Sequence, residues 1–140
     1  DHRDLHVRSR RQRQMCIRDR YTPIANPSYM VKGWSFGIRP EVLQKNVNKA
    51  KKQGAEIVVL LSHNGFDVDQ KLAAMINGID IILTGHTHDA IPKGIRIKDT
   101  LLLSSGSHGK YLGRVDLKVK NGKVVDTSSN LIPVFSDIIP

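Results

Sequence analysis

Apolar residues fall into two kinds of pattern along this chain. From Pro40, Leu43, Val47 and Ala50 recur at helical spacing, with Lys45, Lys49, Lys51 and Lys52 mostly on the opposite face. Pro40-Glu41 suits a first helical turn, where a missing N–H is harmless, and Gly54 supplies the stop. The run "IVVLL", residues 57–61, is apolar throughout and mainly β-branched, which predicts a strand covered on both faces. A loop then leads to a second helix, about Val68 to Ile76, ended by Asn77-Gly78, and "IDIILTG" predicts another buried strand. Helix, strand, helix, strand in that order implies a parallel pair joined by a crossover.

Past residue 90 the pattern changes. "IRIKDTLLLSSG" and "YLGRVDLKVKNGKVVDTSSNLIPV" read as strands joined by tight turns, with Asn121-Gly122 the clearest hairpin signal. Val115, Leu117 and Val119 alternate with Asp116, Lys118 and Lys120, as a half-exposed strand requires. Before the first helix, Pro23, Pro27 and Gly33 among aromatics predict an extended, ordered loop in which Trp34 and Phe36 pack. The expected fold class is therefore α/β, with two helices and mixed strands. No apolar run approaches the roughly 20 residues that span a bilayer, and nothing at the start has the pattern of a signal peptide.

Composition changes this picture at one end only. Residues 1–20 hold seven arginines and no lysine, whereas residues 21–140 hold three arginines and twelve lysines. The net charge divides as 7 − 3 = +4 and 15 − 10 = +5. "RQRQMCIRDR" resembles translated adapter read-through, so residues 1–20 are expected to be a disordered or non-native tail. A reading of another class makes the same tail part of a basic nucleic-acid-binding module. Cys16 and two of the histidines, His2 and His6, go with the tail. No thiol remains outside it, which excludes disulfide frameworks and zinc–thiolate sites.

The candidate chemistry is histidine at strand ends. "VVLLSHNG" places His63 just past the first predicted strand, and "IILTGHTHD" places His86 and His88 just past the second. Open α/β sheets bind ligands beyond the carboxyl ends of parallel strands. Neighbouring strands lie about 4.8 Å apart, so imidazoles leaving adjacent ends can reach one ion or a close pair of ions. On an extended segment, His-x-His sends both rings the same way, with Gly85 permitting the turn. Imidazole suits Zn, Cu, Fe or Ni, and less selectively Mn. His108, in "SSGSHGKYLG", follows another apolar run, and Gly106 and Gly109 beside it suggest close approach by a ligand or backbone. Asp67 and Asp69 are expected to cap the second helix. "SSGSHGK" lacks the spacing of a phosphate loop and leads into a strand.

"SHNG" and "GHTH", followed by "GKYLGRVDL", resemble the last two histidine motifs of the calcineurin-like metallophosphoesterase superfamily, in its 5′-nucleotidase branch. "YTPIANPSYMVKGWSFGIRPE" and "LSHNGFDVDQKLA" are most similar, within that branch, to the SoxB-type thiosulfohydrolases. The resemblance covers residues 21–140. It implies a two-sheet α/β/β/α sandwich of which residues 21–133 are the C-terminal half, with 134–140 starting a linker to a further C-terminal domain. It implies two divalent metal ions, Mn2+ in SoxB-type enzymes, with His63 and His86 on one ion and His88 on its neighbour. Asn64 and His108 are then candidate substrate contacts. The family's Asp-x-His, Gly-Asp-x-x-Asp and Gly-Asn-His-Asp motifs have no counterpart in residues 21–140. They supply the bridging aspartate and the acid–base histidine, so no catalytic residue is assigned here and the chain alone is expected to be inactive. The implied activity of the whole enzyme is release of sulfate from a cysteine-bound sulfur adduct on a SoxYZ-like carrier protein. That setting is periplasmic, with no nucleic-acid or membrane partner. The alternative within the same chemistry is a 5′-nucleotidase or cyclic-nucleotide phosphodiesterase.

Overall fold

The computed structural model describes residues 18–19, 27–31 and 37–135. Cys16, Trp34, Phe36, residues 136–140 and most of the arginine-rich start lie outside them. In chain order the elements are β1 (Arg18–Asp19), a 3-10 turn (Ser28–Val31), α1 (Pro40–Lys52), β2 (Val59–His63) and α2 (Phe66–Met75). There follow β3 (Ile81–Thr84), β4 (Ile95–Ile97), β5 (Thr100–Leu103), β6 (Tyr111–Lys120) and β7 (Lys123–Pro133). Five strands form one sheet in the order β1-β2-β3-β5-β4, and β6 with β7 forms a separate hairpin. Strands β1, β2, β3 and β5 run parallel, while β4 turns back antiparallel to β5. The α/β class and the mixed strands thus match the sequence pattern.

Helices α1 and α2 cover one face of the sheet. Leu43 and Val47 of α1 and Leu72 and Ala73 of α2 pack with Leu60, Ile82 and Leu102 from the three central parallel strands. Pro40 occupies the first turn of α1, and Gly54 follows its end at φ +90°. The Gln44 side chain clips α1 to the turn before β3: its Oε1 accepts from the Asn77 amide and its Nε2 donates to the Asn77 carbonyl, both at 2.9 Å.

The other face is covered only in part. Ile81, Leu101 and Leu103 form a second cluster with Val59 and with Val115 and Leu117 of the hairpin. The "IVVLL" strand was expected to be covered on both faces, and here the structure differs. Strand β2 starts at Val59, two residues later than the apolar run, and its burial alternates. Leu61 stays 42% exposed and its register partner Leu83 39% exposed, because the packed cluster on this face lies over Ile81, Leu101 and Leu103 instead.

The hairpin turn falls at Asn121-Gly122, where both residues have positive φ (51° and 69°), the geometry a two-residue turn needs. The inward–outward alternation holds through Leu117; a register irregularity between Lys118 and Val119 then leaves Val119 exposed. Within the arginine-rich start, Arg18 and Asp19 pair with Ser62 and His63.

Ile82 and Leu102 are fully buried neighbours at the centre of the sheet. Ile82→Ala should cost about 2–5 kcal/mol and Ile82→Val about 0.5–1.5 kcal/mol in urea unfolding. Losses of equal size would place Ile82 outside the packed core.

Candidate metal centre

The parallel register sets the site. Val59 to Ser62 of β2 pair with Ile81 to Thr84 of β3, and Ile81 to Leu83 pair with Leu101 to Leu103 of β5. The three strands therefore end at one edge of the sheet. His63 is the last residue of β2, and the Gly85 amide donates to the Ser62 carbonyl at 2.9 Å, carrying the ladder one step further. Immediately beyond it lie His86 and His88, and the β5–β6 loop brings His108 to the same edge.

The rings form two pairs. His63 and His86 stand edge to face with centroids 5.0 Å apart, and His88 faces His108 at 5.7 Å. The His-x-His segment is not the extended claw expected from its spacing. His86 and His88 both have left-handed backbone, at φ 76° and 59°, and their rings take different partners. Gly85 was expected to make the turn, yet the positive φ falls on the histidines and Gly85 supplies room. A Cβ there would sit 3.4 Å from the His63 ring.

Hydrogen bonds hold these loops in place. The Phe66 amide donates to Thr87 Oγ1 at 3.1 Å, and that hydroxyl donates to Asp89 Oδ2. The Asp89 carbonyl accepts from the Gly106 amide at 2.8 Å and from the Ser104 hydroxyl at 2.5 Å, which ties the His88 loop to the His108 loop. His108 is also left-handed, at φ 58°, and its Nδ1 lies 2.8 Å from Ser107 Oγ.

Beneath the rings lies a feature that the spacing of polar residues did not reveal. Asp69 is fully buried. Its Oδ1 accepts from Ser62 Oγ at 2.6 Å and from Asn64 Nδ2 at 3.4 Å, and its Oδ2 accepts from Thr84 Oγ1 at 2.5 Å. It was expected to cap α2, but the N-cap is Gly65, with no side-chain cap, and the Asp69 carboxylate turns to the strands. A signal was present: Asp69 shares the face of Leu72, Ala73 and Ile76 at i+3, i+4 and i+7, an acid on an apolar stripe. Asn64 also departs from its expected role as a substrate contact. It is 2% exposed, its amide nitrogen is spent on Ser62 and Asp69, and its buried Oδ1 has no hydrogen-bond partner among the described residues.

Two imidazoles on one ion, bound at about 2.1 Å, place their centroids on the order of 5 Å apart. The His63–His86 pair fits that spacing. Among the described residues no group of three or more His, Cys, Asp or Glu side chains converges on one point. The donor set thus fits part of a metal centre.

No protein-family model matches the chain. The solved structure of a sulfate thiohydrolase SoxB from Thermus thermophilus is 39% identical and superposes with a TM-score of 0.83, over 89% of this chain and 23% of that one. The uncharacterized metallophosphoesterase YunD of Bacillus subtilis is 37% identical over 93 residues, 66% of this chain and 20% of that protein. A snake venom 5′-nucleotidase from Crotalus adamanteus is 27% identical over 139 residues, covering 84% of this chain and 24% of the nucleotidase. The chain belongs to the 5′-nucleotidase branch of the calcineurin-like metallophosphoesterases. As a metallophosphoesterase segment it spans between 20% and 24% of these relatives' lengths. The fold described above is that of a SoxB-like member of the branch.

Burial pushes the Asp69 carboxyl above its ordinary value of 3.8, against the opposing hydrogen bonds from Ser62, Thr84 and Asn64. An acid with a raised folded-state pKa binds its proton more tightly when folded. Its stabilising contribution is complete below the unfolded value and is lost as pH rises through the folded one. The stability of the wild type relative to Asp69→Asn should therefore increase as pH falls from neutral toward 3.8, read by urea unfolding at stepped pH. A difference independent of pH over that range would contradict the raised pKa.

Proposed function

We propose that the parent of this chain is a metal-dependent hydrolase of the thiosulfohydrolase type, releasing sulfate from a cysteine-bound sulfur adduct on a SoxYZ-like carrier protein. The observation that carries this reading is the likeness to SoxB, at 39% identity and a TM-score of 0.83 over 89% of the chain. The proposed setting is periplasmic, with Mn2+ as the resident ion and neither nucleic acid nor membrane as partner. Residues 21–133 form the C-terminal half of the metallophosphoesterase domain, and residues 134–140 begin the linker to a further domain. No helix among the described residues is long and apolar enough to cross a membrane.

In this reading His63 and His86 hold one divalent ion, as their 5.0 Å spacing supports, and His88 holds its neighbour. Bound there, such ions supply a hydroxide nucleophile near neutral pH and offset charge on a tetrahedral oxyanion. The imidazoles are neutral donors, so carboxylate ligands come from the remainder of the parent. The chain's own contribution is geometric. Left-handed backbone at His86 and His88 aims the two rings to different partners, and the Thr87–Asp89 and Asp89–Gly106 contacts keep those turns from relaxing. His108 in this reading contacts an anionic group of the substrate, which its exposure beside His88 supports. Asn64, being buried, supports the strand end from below.

The 5′-nucleotidase relative supports a second reading, hydrolysis of a nucleotide phosphate ester at the same site. A phosphate monoester and a sulfonate on sulfur are both tetrahedral oxyanions, so these residues suit either.

Assay of the full-length parent against 5′-AMP and against a thiosulfonate-loaded carrier separates the two. Sulfate release from the carrier with little AMP turnover is expected; the reverse preference would establish the nucleotidase reading. In the same protein His63→Ala, His86→Ala and His88→Ala should each lower hydrolysis by about 100-fold or more and reduce bound manganese. Unchanged manganese content in any of them would remove that histidine from the ligand set.

A further inference from the structure

We propose that Asp69 is the positioning residue of the metal centre, a buried gauge that sets the His63–His86 spacing through the hydroxyls of Ser62 and Thr84. The inference rests on the metal-centre reading above and adds to it a residue with no direct place among the ligands.

Ser62 and Thr84 are register partners on β2 and β3, at the last rung before the chain leaves the sheet. Both hydroxyls end on one carboxylate, Ser62 on Oδ1 at 2.6 Å and Thr84 on Oδ2 at 2.5 Å. A carboxylate is planar and rigid, so its two oxygens hold the two strands at one separation. His63 follows Ser62 by one residue and His86 follows Thr84 by two. Between the clamp and the rings lies one further backbone bond, from the Gly85 amide to the Ser62 carbonyl. Little chain is left to absorb an error in strand spacing.

The gauge is itself anchored. Asp69 sits in the first turn of α2, its amide bonded to the Gly65 carbonyl at 3.1 Å, while Leu72, Ala73 and Ile76 hold that helix on the sheet. Asn64 closes the group, donating to Ser62 Oγ at 2.9 Å as well as to Asp69. Stability alone does not account for this arrangement. Apolar side chains of similar volume would fill the space without burying a charge, and such replacements are often neutral or stabilising. What apolar groups lack is direction: hydrogen bonds from two strands to one group fix a distance, whereas packing fixes only a volume.

The test uses the full-length parent and Co2+ alone as the probe, with affinity from titration and coordination geometry from the visible d–d bands. Asp69→Ala should bind Co2+ about tenfold or more weakly with altered bands. Asp69→Asn keeps the shape and one acceptor, and its amide nitrogen can donate to a hydroxyl that turns to accept, so it should stay within about threefold of wild type. Ser62→Ala and Thr84→Ala each remove one arm and should weaken binding about threefold. Native affinity and native bands in a folded Asp69→Ala overturn the proposal. Should Asp69→Ala fail to fold, native affinity in both Ser62→Ala and Thr84→Ala overturns it equally. His63→Ala separates the two levels of inference. If it too leaves Co2+ binding unchanged, the metal-centre reading has failed; if it abolishes binding while Asp69→Ala does not, only the gauge has failed.

Discussion

Parallel pairing of β2, β3 and β5 in one register is the constraint on which this structure depends. Parallel strands must be joined by crossovers, and here α2 makes the crossing from β2 to β3 on the face that buries Leu60, Ile82 and Leu102. Because the strands point the same way, their carboxyl ends form one edge, and whatever follows each strand is brought to that edge. A one-residue slip between β2 and β3 would turn Ile82 out of the apolar core and move Ser62 away from Thr84. Burial of the apolar face and alignment of the histidines are thus specified by the same pairing.

The loops beyond that edge are built differently. His86, His88 and His108 all take left-handed backbone, a region histidine visits more readily than most non-glycine residues but still at some energetic cost. Three such residues on two neighbouring loops need external support. It comes from Asp89, whose side chain is held by Thr87 and whose carbonyl accepts from Gly106 and Ser104. The consequence is a change of partners. An extended His-x-His would send both rings one way, whereas these turns give one ring to His63 and the other to His108.

Much of the fold was legible in the chain because short-range rules decide it. Asn121-Gly122 demands a two-residue turn, Pro40 and Gly54 bracket a helix, and the alternation from Val115 to Leu117 marks a half-covered strand. The strand-end histidines were legible for the same reason, as polar residues directly after apolar runs. Less legible were features that depend on partners distant in sequence. "IVVLL" is uniformly apolar, yet the helices cover one side of β2 while Leu61 on the other stays exposed; composition cannot say which face will find a cover. The left-handed turns at His86 and His88 likewise lean partly on distant contacts, since the Asp89 carbonyl beside them accepts from Ser104 and Gly106. Asp69 was misread because acids in the first turn of a helix usually serve its N-terminus. Its position on the apolar stripe was the stronger clue.

Charge sets the final limit on what this segment does. Imidazoles bind a divalent ion without neutralising it, so a hydrolytic centre also needs carboxylates. Of the acids near the histidines in sequence, Asp67 is exposed, while Asp69 and Asp89 have other duties in the structure. Asp69 is enclosed by Ser62, Asn64 and Thr84 beneath the strand ends, and Asp89 holds Thr87 within the His86–His88 turn. Drawing either onto an ion would release the contacts that aim the rings. Asp69 and Asp89 are thus committed to the geometry of the strand ends, and among the described residues no carboxylate joins the His63–His86 pair at the edge where β2, β3 and β5 end.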